Sequence, residues 1–335
     1  MAALSKSVCI RLLKKEDANA LVKLYELIGW KLTEEHVIKW VEYSRRGKYS
    51  RIFVAELNGK VVGKITLDTA FPPYAEIVNV IVHPAYQKSG IGSKLIKECI
   101  KIATNDGYNI IYLMCNPVNK KIHRFYAKLG FIPGILGDPK DKRGDMWLYY
   151  FSEESFVRRF LEDHPFSEFH VSRGKMNLHG LTFYSIKWVD PITDDILEIL
   201  IKGQPGQPES GGTMPRISGV RYKLKERKLS CWIQEENNKM FRNILGKFKL
   251  NIINEGEKEM SVYMKPLLPN GVELTNEVPA YFQVCNGEHK ILTFKLKLLK
   301  NFDIPLEYLT FPTISASLML KVDDNTEIVV SAGFE

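Results

Sequence analysis

A glycine-containing turn lies between a β-branched stretch and a helical pattern, and its residue types suit the binding of an anion. The run from Val82 to Leu95 reads VHPAYQKSGIGSKL. Glycine lets the backbone approach a ligand closely, and the first amide groups of a helix have no partner within that helix. The helix dipole adds positive potential at the same point, and Lys88 and Lys94 add mobile charge. The turn therefore predicts a site that suits a pyrophosphate.

Two common phosphate motifs do not describe this turn. It lacks the third glycine of the dinucleotide fingerprint and the Gly-Lys-Ser/Thr of a P-loop. The whole run instead resembles the acetyl-CoA signature of the GNAT N-acetyltransferase family, Gln/Arg-x-x-Gly-x-Gly/Ala after a strand that ends in Val-x-Pro. A second run, NKKIHRFYAKLGF at 119–131, looks like the family's Asn-x-x-Ala-x-x-x-Tyr-x-x-x-Gly-Phe, with Ile122 in place of the alanine. The resemblance covers about residues 8–151 and implies the family's α/β fold with a mixed sheet.

The resemblance also implies roles for single residues. Seven consecutive residues would surround the pyrophosphate, largely through backbone N–H groups: Gln87, Lys88, Ser89, Gly90, Ile91, Gly92 and Ser93. The main chain of Val80, Ile81 and Val82 would pair with the pantetheine arm, and Asn119 would contact the same arm. Tyr126 would protonate the leaving thiolate. Acetyl-CoA is thus the expected co-substrate, and no metal is expected.

The reaction also needs a proton acceptor, because an amine at neutral pH is mostly ammonium and cannot attack a thioester. Glu76 stands eleven residues before Gln87, within an Ala-Glu-Ile-Val run. Some protein-acetylating members of the family carry a catalytic glutamate in a similar run. The alternative interpretations are a solvated or ion-paired strand carboxylate for Glu76, a packed ring for Tyr126 and a helix N-cap for Asn119.

Local patterns predict the elements that position these residues. Asn58-Gly59 indicates a hairpin between strands at 51–57 and 61–68, and helices are expected at 90–104 and 119–129. Thr33 is expected to cap a further helix. After Ser152, which we expect to cap a connecting helix, long strand-like runs recur between turn residues. Gln204–Pro215 reads as a loop.

These patterns predict three parts: a transferase domain at 1–152, a connecting helix and β-rich region of unclear fold at 153–240, and a β-sandwich at 241–335. The last part resembles immunoglobulin-like accessory domains through Asn254-Glu255-Gly256 and Leu268-Pro269-Asn270-Gly271. The chain is thus expected to be α/β first and all-β afterwards, with a β-sandwich as the β architecture.

Composition and charge narrow the class of protein. The 335 residues are 45% hydrophobic and 26% charged, as in a globular protein, and no run approaches the about 18 apolar residues of a membrane span. Five cysteines without close pairs favour a reducing cytoplasm over a disulfide framework or a zinc site. Residues 1–150 hold 24 Lys and Arg against 14 Asp and Glu, whereas residues 151–335 hold 23 against 25. The basic excess therefore lies in the part expected to bind the polyanion CoA, and no nucleic-acid motif accompanies it.

We therefore predict an N-acetyltransferase that moves an acetyl group directly from acetyl-CoA to an amine of a small molecule, protein or peptide. Trp30, Phe71 and Tyr74 are candidates for the acceptor cleft. The alternative function is a non-catalytic CoA-binding sensor or scaffold whose β-rich part contacts a protein partner. The basic cluster at 221–228 is expected to be a solvated strand face, with an acidic partner as its alternative.

Overall fold

The computed structural model describes residues 8–46, 49–136, 146–204, 213–240, 244–304, 306, 309–311, 313–323 and 326–334. The chain divides into two compact units. The first comprises Met1–Ala70 and Tyr74–Leu113, and the second comprises Phe71–Pro73 and Met114–Glu335.

The first unit is built on a mixed β-sheet. Its strands are β1 (Cys9–Leu12), β2 (Ser50–Leu57), β3 (Lys60–Phe71), β4 (Tyr74–Val82) and β5 (Ile110–Cys115). They lie side by side in this order, with β1–β2 and β2–β3 antiparallel and β4–β5 parallel. The predicted α/β class with a mixed sheet is confirmed.

Three helices complete the first unit: α1 (Ala18–Glu26), α2 (Glu34–Arg46) and α3 (Ile91–Asn105). Local signals set several of their boundaries. Thr33 accepts a hydrogen bond from the His36 amide at 3.3 Å, which confirms its predicted capping role. Asn58 and Gly59 have φ values of 53° and 74°, as a tight hairpin turn requires, and join β2 to β3 as predicted.

Two ionisable side chains lie within the core of this unit, on β3. Lys64 is 1% exposed, donates a hydrogen bond to Thr66 Oγ1 at 2.5 Å and lies 5.4 Å from the ring centroid of Trp40. Burial lowers the pKa of Lys64 to about 7, although the charge of Asp68 opposes this shift. Burial likewise raises the pKa of Asp68 to about 6. Strand periodicity does not predict this cluster, because both residues read as exposed polar positions.

The second unit is mainly β-structure. Its helices are α4 (Lys120–Ala127) and α5 (Phe156–Asp163). Its strands are β6 (Ile132–Ile135), β7 (Met146–Phe151), β8 (Glu168–Val171), β9 (Met176–Leu178), β10 (Leu181–Val189), β11 (Ile196–Gln204), β12 (Thr213–Leu224), β13 (Arg227–Asn237), β14 (Gly246–Asn254), β15 (Met260–Leu267), β16 (Val272–Leu274), β17 (Tyr281–Val284), β18 (His289–Leu298), β19 (Ile314–Val322) and β20 (Thr326–Phe334).

Two large antiparallel sheets hold most of these strands. One has nine strands in the order β16-β18-β14-β13-β12-β11-β10-β8, with β9 paired to β10, and the other has the order β17-β15-β19-β20. The expected change from α/β to all-β is confirmed. The nine-stranded sheet contains strands from before and after residue 240. The domain boundaries at 152 and 240 and the immunoglobulin-like character of the last part stay predictions.

The connecting helix begins later than expected. Ser155 caps α5 by accepting a hydrogen bond from the Arg158 amide at 3.3 Å. The prediction that Ser152 is the cap is wrong, because its carbonyl instead accepts the hydroxyl of Ser155 at 2.6 Å.

Most of the predicted loop at 204–215, namely residues 205–212, lies outside the described residues. In the described part of the chain, no helix combines the length and the apolar character needed to cross a bilayer.

A largely buried ion triad joins the two sheets of the second unit. Lys202 and Arg216 both donate to the Glu235 carboxylate, the latter at 3.0 Å, and the amide of Gly333 on β20 donates to it at 3.3 Å. Burial opposes the charge of Glu235, but the positive charges of Arg216 and Lys202 outweigh it and hold the pKa of Glu235 below its ordinary value. The carboxylate therefore neutralises two cations that have little access to water.

Replacing Glu235 by Gln should strongly destabilise the second unit, by about 3 kcal/mol, because two buried cations lose their counter-charge. Urea unfolding at pH 7, followed by circular dichroism, measures this loss. Glu236→Gln is the matched control, since the neighbouring side chain is exposed and pairs with Lys247 and Lys249. Because the folded-state pKa of Glu235 is lowered, its contribution is present above the unfolded pKa and is lost as the pH falls. The two proteins should therefore converge in stability in acid, and equal stability at pH 7 would contradict the assignment.

Candidate active site

The turn between β4 and α3 exposes a set of backbone amide groups. Helix α3 follows Gly90, which has φ 86°, and no side chain caps its first turn. The first helical hydrogen bond runs from the Lys94 amide to the Gly90 carbonyl at 3.0 Å, so the amides of Ile91, Gly92 and Ser93 have no partner within the helix. Lys88 also has a positive φ, 63°. Successive amides around such residues form a concave anion-binding nest.

Side chains of the same turn hold its shape. Ser89 Oγ donates to the Tyr86 carbonyl at 2.5 Å, and Gln87 Nε2 donates to the Val82 carbonyl at 3.2 Å. The residues Gln87–Gly90 are exposed, whereas Ile91 anchors the helix in the core. The structure thus brings the seven predicted pyrophosphate residues into one turn whose side-chain bonds leave the first-turn amides of α3 facing outward.

His83 belongs to this turn, and its side chain makes a hydrogen bond that stabilises the turn. Its Nδ1 accepts a hydrogen bond from the Ala85 amide at 3.1 Å and caps a short 3-10 helix, Pro84–Tyr86. This contact makes His83 a structural residue of the turn.

Strand β4 changes its course at Asn79. Its parallel pairing with β5 covers Tyr74–Ile110, Ala75–Ile111 and Glu76–Tyr112. Asn79, three residues later, has φ 53°, a value that bends a strand and interrupts its pairing. The predicted pantetheine-binding residues Val80, Ile81 and Val82 directly follow this bend. Our sequence reasoning missed Asn79, although an asparagine inside a β-branched run is a usable signal, since asparagine is disfavoured in strands and tolerates positive φ.

Glu76 is buried rather than solvated. It is 6% exposed, and its Oε2 accepts a hydrogen bond from the Tyr112 hydroxyl at 3.3 Å. The two residues are register partners on β4 and β5, which explains why the contact exists. Tyr112 carries no motif signal of its own, because it reads as one residue of a buried strand.

The second predicted motif lies in the second unit. Asn119 is the N-cap of α4, and its Oδ1 accepts a hydrogen bond from the Ile122 amide at 3.2 Å. Tyr126 lies on the same helix, is buried and packs against Phe131 with ring centroids 5.7 Å apart. Burial, and to a smaller extent the nearby Cys115, raises the pKa of Tyr126, so that its hydroxyl keeps its proton at and well above neutral pH.

The candidate acceptor residues differ in exposure. Trp30 follows α1, is 50% exposed and packs edge-on against Tyr25. Phe71 and Tyr74 are only 5% and 2% exposed, so both side chains are packed in the interior. Among the described residues, no cluster of three or more His, Cys, Asp or Glu is arranged to hold a metal ion.

The basic cluster at 221–228 spans the hairpin of β12 and β13 and is largely ion-paired. Four of its five cations contact carboxylates from other elements: Arg221 with Glu198, Lys223 with Asp194, Arg227 with Asp323 and Lys228 with Glu255. These pairs favour the interpretation as a polar strand face over that of a site for an acidic partner.

Known proteins with related sequences match the same part of the chain. Residues 21–131 match the sequence model of the Acetyltransferase (GNAT) family. An uncharacterized N-acetyltransferase of Methanocaldococcus jannaschii is 31% identical over 140 residues, which cover 38% of this chain and 62% of that protein. An uncharacterized N-acetyltransferase of Pyropia yezoensis is 30% identical over 139 residues, covering 39% of this chain and 75% of that protein.

Solved structures align with the same portion. The PaiA N-acetyltransferase of Thermoplasma acidophilum, crystallised with coenzyme A, covers 44% of this chain and 99% of its own, at 21% identity and a TM-score of 0.36. The chain spans somewhat less than two thirds of the M. jannaschii relative, and these matches leave more than half of this chain uncovered. The sequence matches confirm the family resemblance of the two motifs, and the chain belongs to the GNAT acetyltransferase family through its N-terminal part.

Proposed function

We propose that this protein is an acetyl-CoA-dependent N-acetyltransferase that transfers the acetyl group directly to an amine acceptor. The observation that carries the proposal is the exposed turn at the start of α3, where Lys88 and Gly90 take positive φ values and no side chain caps the helix. A pyrophosphate can accept the hydrogen bonds that the first-turn amides lack, and the helix dipole favours its charge.

The remaining contacts to acetyl-CoA are proposed by family likeness. The main chain of Val80, Ile81 and Val82 would pair with the pantetheine arm, and the bend at Asn79 supports this role because it frees the strand edge that follows. Asn119 would contact the arm in addition to capping α4. The basic excess of residues 1–150 would raise the local concentration of this polyanion.

The proposed chemical step is the direct transfer of the acetyl group from sulfur to the amine nitrogen. Glu76 accepts a proton from the acceptor ammonium, directly or through water, so that the amine nitrogen can attack the thioester carbonyl. The new C–N bond forms and the C–S bond breaks. The hydroxyl of Tyr126 gives its proton to the leaving thiolate sulfur, and the second proton that the attacking nitrogen loses returns through water to the Tyr126 oxygen. Burial raises the pKa of Tyr126, which keeps this hydroxyl protonated before the transfer. No covalent intermediate with the enzyme is required.

The acceptor is proposed to be an amine of a small molecule, a protein or a peptide. Trp30 is the candidate residue for contacting it, because it exposes half of a large ring surface in the loop after α1. A protein partner for the β-rich part and a cytoplasmic location are further proposals, supported by the strand-rich architecture and by the cysteine pattern respectively.

Ser93→Asp should weaken CoA binding by about tenfold or more, because the new carboxylate lies at the amides that would hold the pyrophosphate. Folding should be unharmed, since an acidic residue in the first turn of a helix is stabilising. Isothermal titration calorimetry measures the affinity and thermal unfolding the stability. Ser93→Asn is the isosteric neutral control and should bind CoA almost normally. Equal CoA affinity in the Asp and Asn variants, or no CoA binding by the parent protein, would refute the pyrophosphate site.

Glu76→Gln should lower kcat by about a hundredfold with an authentic amine acceptor, because a positioned general base contributes at least that much. CoA affinity should be retained. Thiol release from acetyl-CoA across an amine panel measures the rate, and Glu16→Gln, an exposed change in the same unit, is the control. An unchanged kcat would remove Glu76 from the mechanism. Tight CoA binding by the parent protein with no turnover on any amine would favour a CoA-binding sensor.

Tyr126→Phe should lower kcat by about ten- to a hundredfold while the KM for acetyl-CoA changes little, because only thiolate protonation is lost. The control is Tyr108→Phe, which removes a hydrogen bond to the Thr69 carbonyl elsewhere in the chain. Stopped-flow measurement of thiol release separates this step from acceptor binding. A rise in KM at constant kcat would assign Tyr126 to packing instead.

A further inference from the structure

A partly open pocket lies in the second unit, and no residue with a proposed catalytic role lines it. It has a volume of about 70 Å³ and is bounded by residues of α5, β11, β12 and β20. The rings of Phe156, Phe160 and Tyr222 form an aromatic surface within it, and Leu197 and Leu224 add aliphatic surface. Such a concave apolar site with a few polar groups is typical of a binding site for a small ligand.

The charged groups around the pocket do not cancel. Arg159 lies 3.9 Å from Glu327, so that these two charges form a loose pair. His164 lies 3.0 Å from the Asp195 carboxylate, and its second ring nitrogen lies 2.9 Å from the Phe160 carbonyl, so both nitrogens are engaged. Asp163 remains, and among the described residues it has no ion pair or hydrogen-bond partner. The pocket therefore carries one uncompensated carboxylate.

The position of Asp163 on its helix strengthens the negative potential. It is the last residue of α5, where the unpaired carbonyl groups already carry partial negative charge. A carboxylate is unfavourable at this end of a helix, and a cation placed beside it is stabilised by both the side chain and the dipole. The aromatic surface contributes further, since ring faces attract cations.

We propose that this pocket binds an alkylammonium group, with the alkyl chain against the aromatic surface and the ammonium beside Asp163. The size is suitable, because about 70 Å³ holds on the order of five water molecules and hence a chain of similar length. A four-carbon ammonium ion has these dimensions. The same chemistry is offered by a free small amine and by a lysine side chain of a partner protein.

The full-length protein is titrated with n-butylammonium, butyrate and n-butanol, and binding is followed by saturation-transfer NMR of the ligand. We expect saturable binding of n-butylammonium with a roughly millimolar Kd, as is usual for so small a ligand. Butyrate and butanol should bind at least about fivefold more weakly, because they lack the positive charge. Equal binding of butyrate or butanol, or no saturable binding of the ammonium, would overturn the proposal.

Asp163→Asn identifies the group responsible. It should weaken n-butylammonium binding by about three- to fivefold, the effect of one partly exposed ion pair. Glu162→Gln is the matched control, since it removes an exposed carboxylate from the same helix but does not border the pocket. An unchanged affinity in Asp163→Asn, or an equal loss in the Glu162 control, would refute the role of Asp163.

A third comparison separates this pocket from the proposed acceptor site, which would also take an amine. Binding that survives in Glu76→Gln and weakens in Asp163→Asn supports the pocket, whereas the reverse pattern overturns it without affecting the proposed transfer reaction. Titration with Nα-acetyl-lysine methylamide then identifies the source of the amine. Tighter binding than that of n-butylammonium indicates a lysine side chain, and weaker binding indicates a free amine; both outcomes support the ammonium site.

Discussion

The unpaired amide groups at the start of α3 are the constraint around which the transferase part is arranged. A helix cannot satisfy its first-turn N–H groups by its own hydrogen bonds, and here no side chain does so for them. The turn can leave them outward only because Gly90 and Lys88 accept positive φ values and because Gln87 and Ser89 bond back to the preceding backbone. The cost of exposing these donors is recovered when an anion accepts their hydrogen bonds, and the helix dipole adds to that gain.

Strand β4, which precedes this turn, carries the candidate base and the candidate pantetheine contacts. It carries Glu76 in a buried stretch paired with β5, bends at Asn79 and ends at Val82, just before the turn that leads to α3. One strand thus bears the candidate base and leads to the candidate cofactor contacts. An extended strand rises by about 3.3 Å per residue. The candidate base and the candidate cofactor contacts are therefore spaced along β4 as the parts of an extended ligand would be.

The second unit is stabilised by a different kind of interaction. The Lys202–Glu235–Arg216 triad pairs three largely buried charges, and the amide of Gly333 extends it to the second sheet. Ion pairing also accounts for the charges of the basic hairpin of β12 and β13. Its cations pair with carboxylates that are distant in sequence, as Arg227 does with Asp323. Many charged groups described in this unit are therefore committed to structure.

Features that depend only on neighbouring residues follow directly from the amino-acid sequence. The Asn58-Gly59 hairpin, the Thr33 and Asn119 caps and the glycine turn before α3 all follow from local backbone preferences and hydrogen bonds within three residues. The α/β pattern followed from the alternation of these elements, and the two motifs were enough to indicate the family. The cap of α5 was misplaced by three residues, since Ser152 and Ser155 are equivalent by residue type and only the fold distinguishes them.

Which side chains are buried, and which groups they contact, depends on how distant parts of the chain pack together. Glu76 lies beside Tyr112, 36 residues away, because β4 and β5 are parallel neighbours. Lys64 and Asp68 look like exposed strand residues, but Lys64 lies against Tyr25 of α1 and Trp40 of α2, and both residues are buried. That burial moves both pKa values toward neutrality. The register of distant strands and the packing of helices set these environments, and the free energy of a charge depends on its surroundings rather than on its residue type.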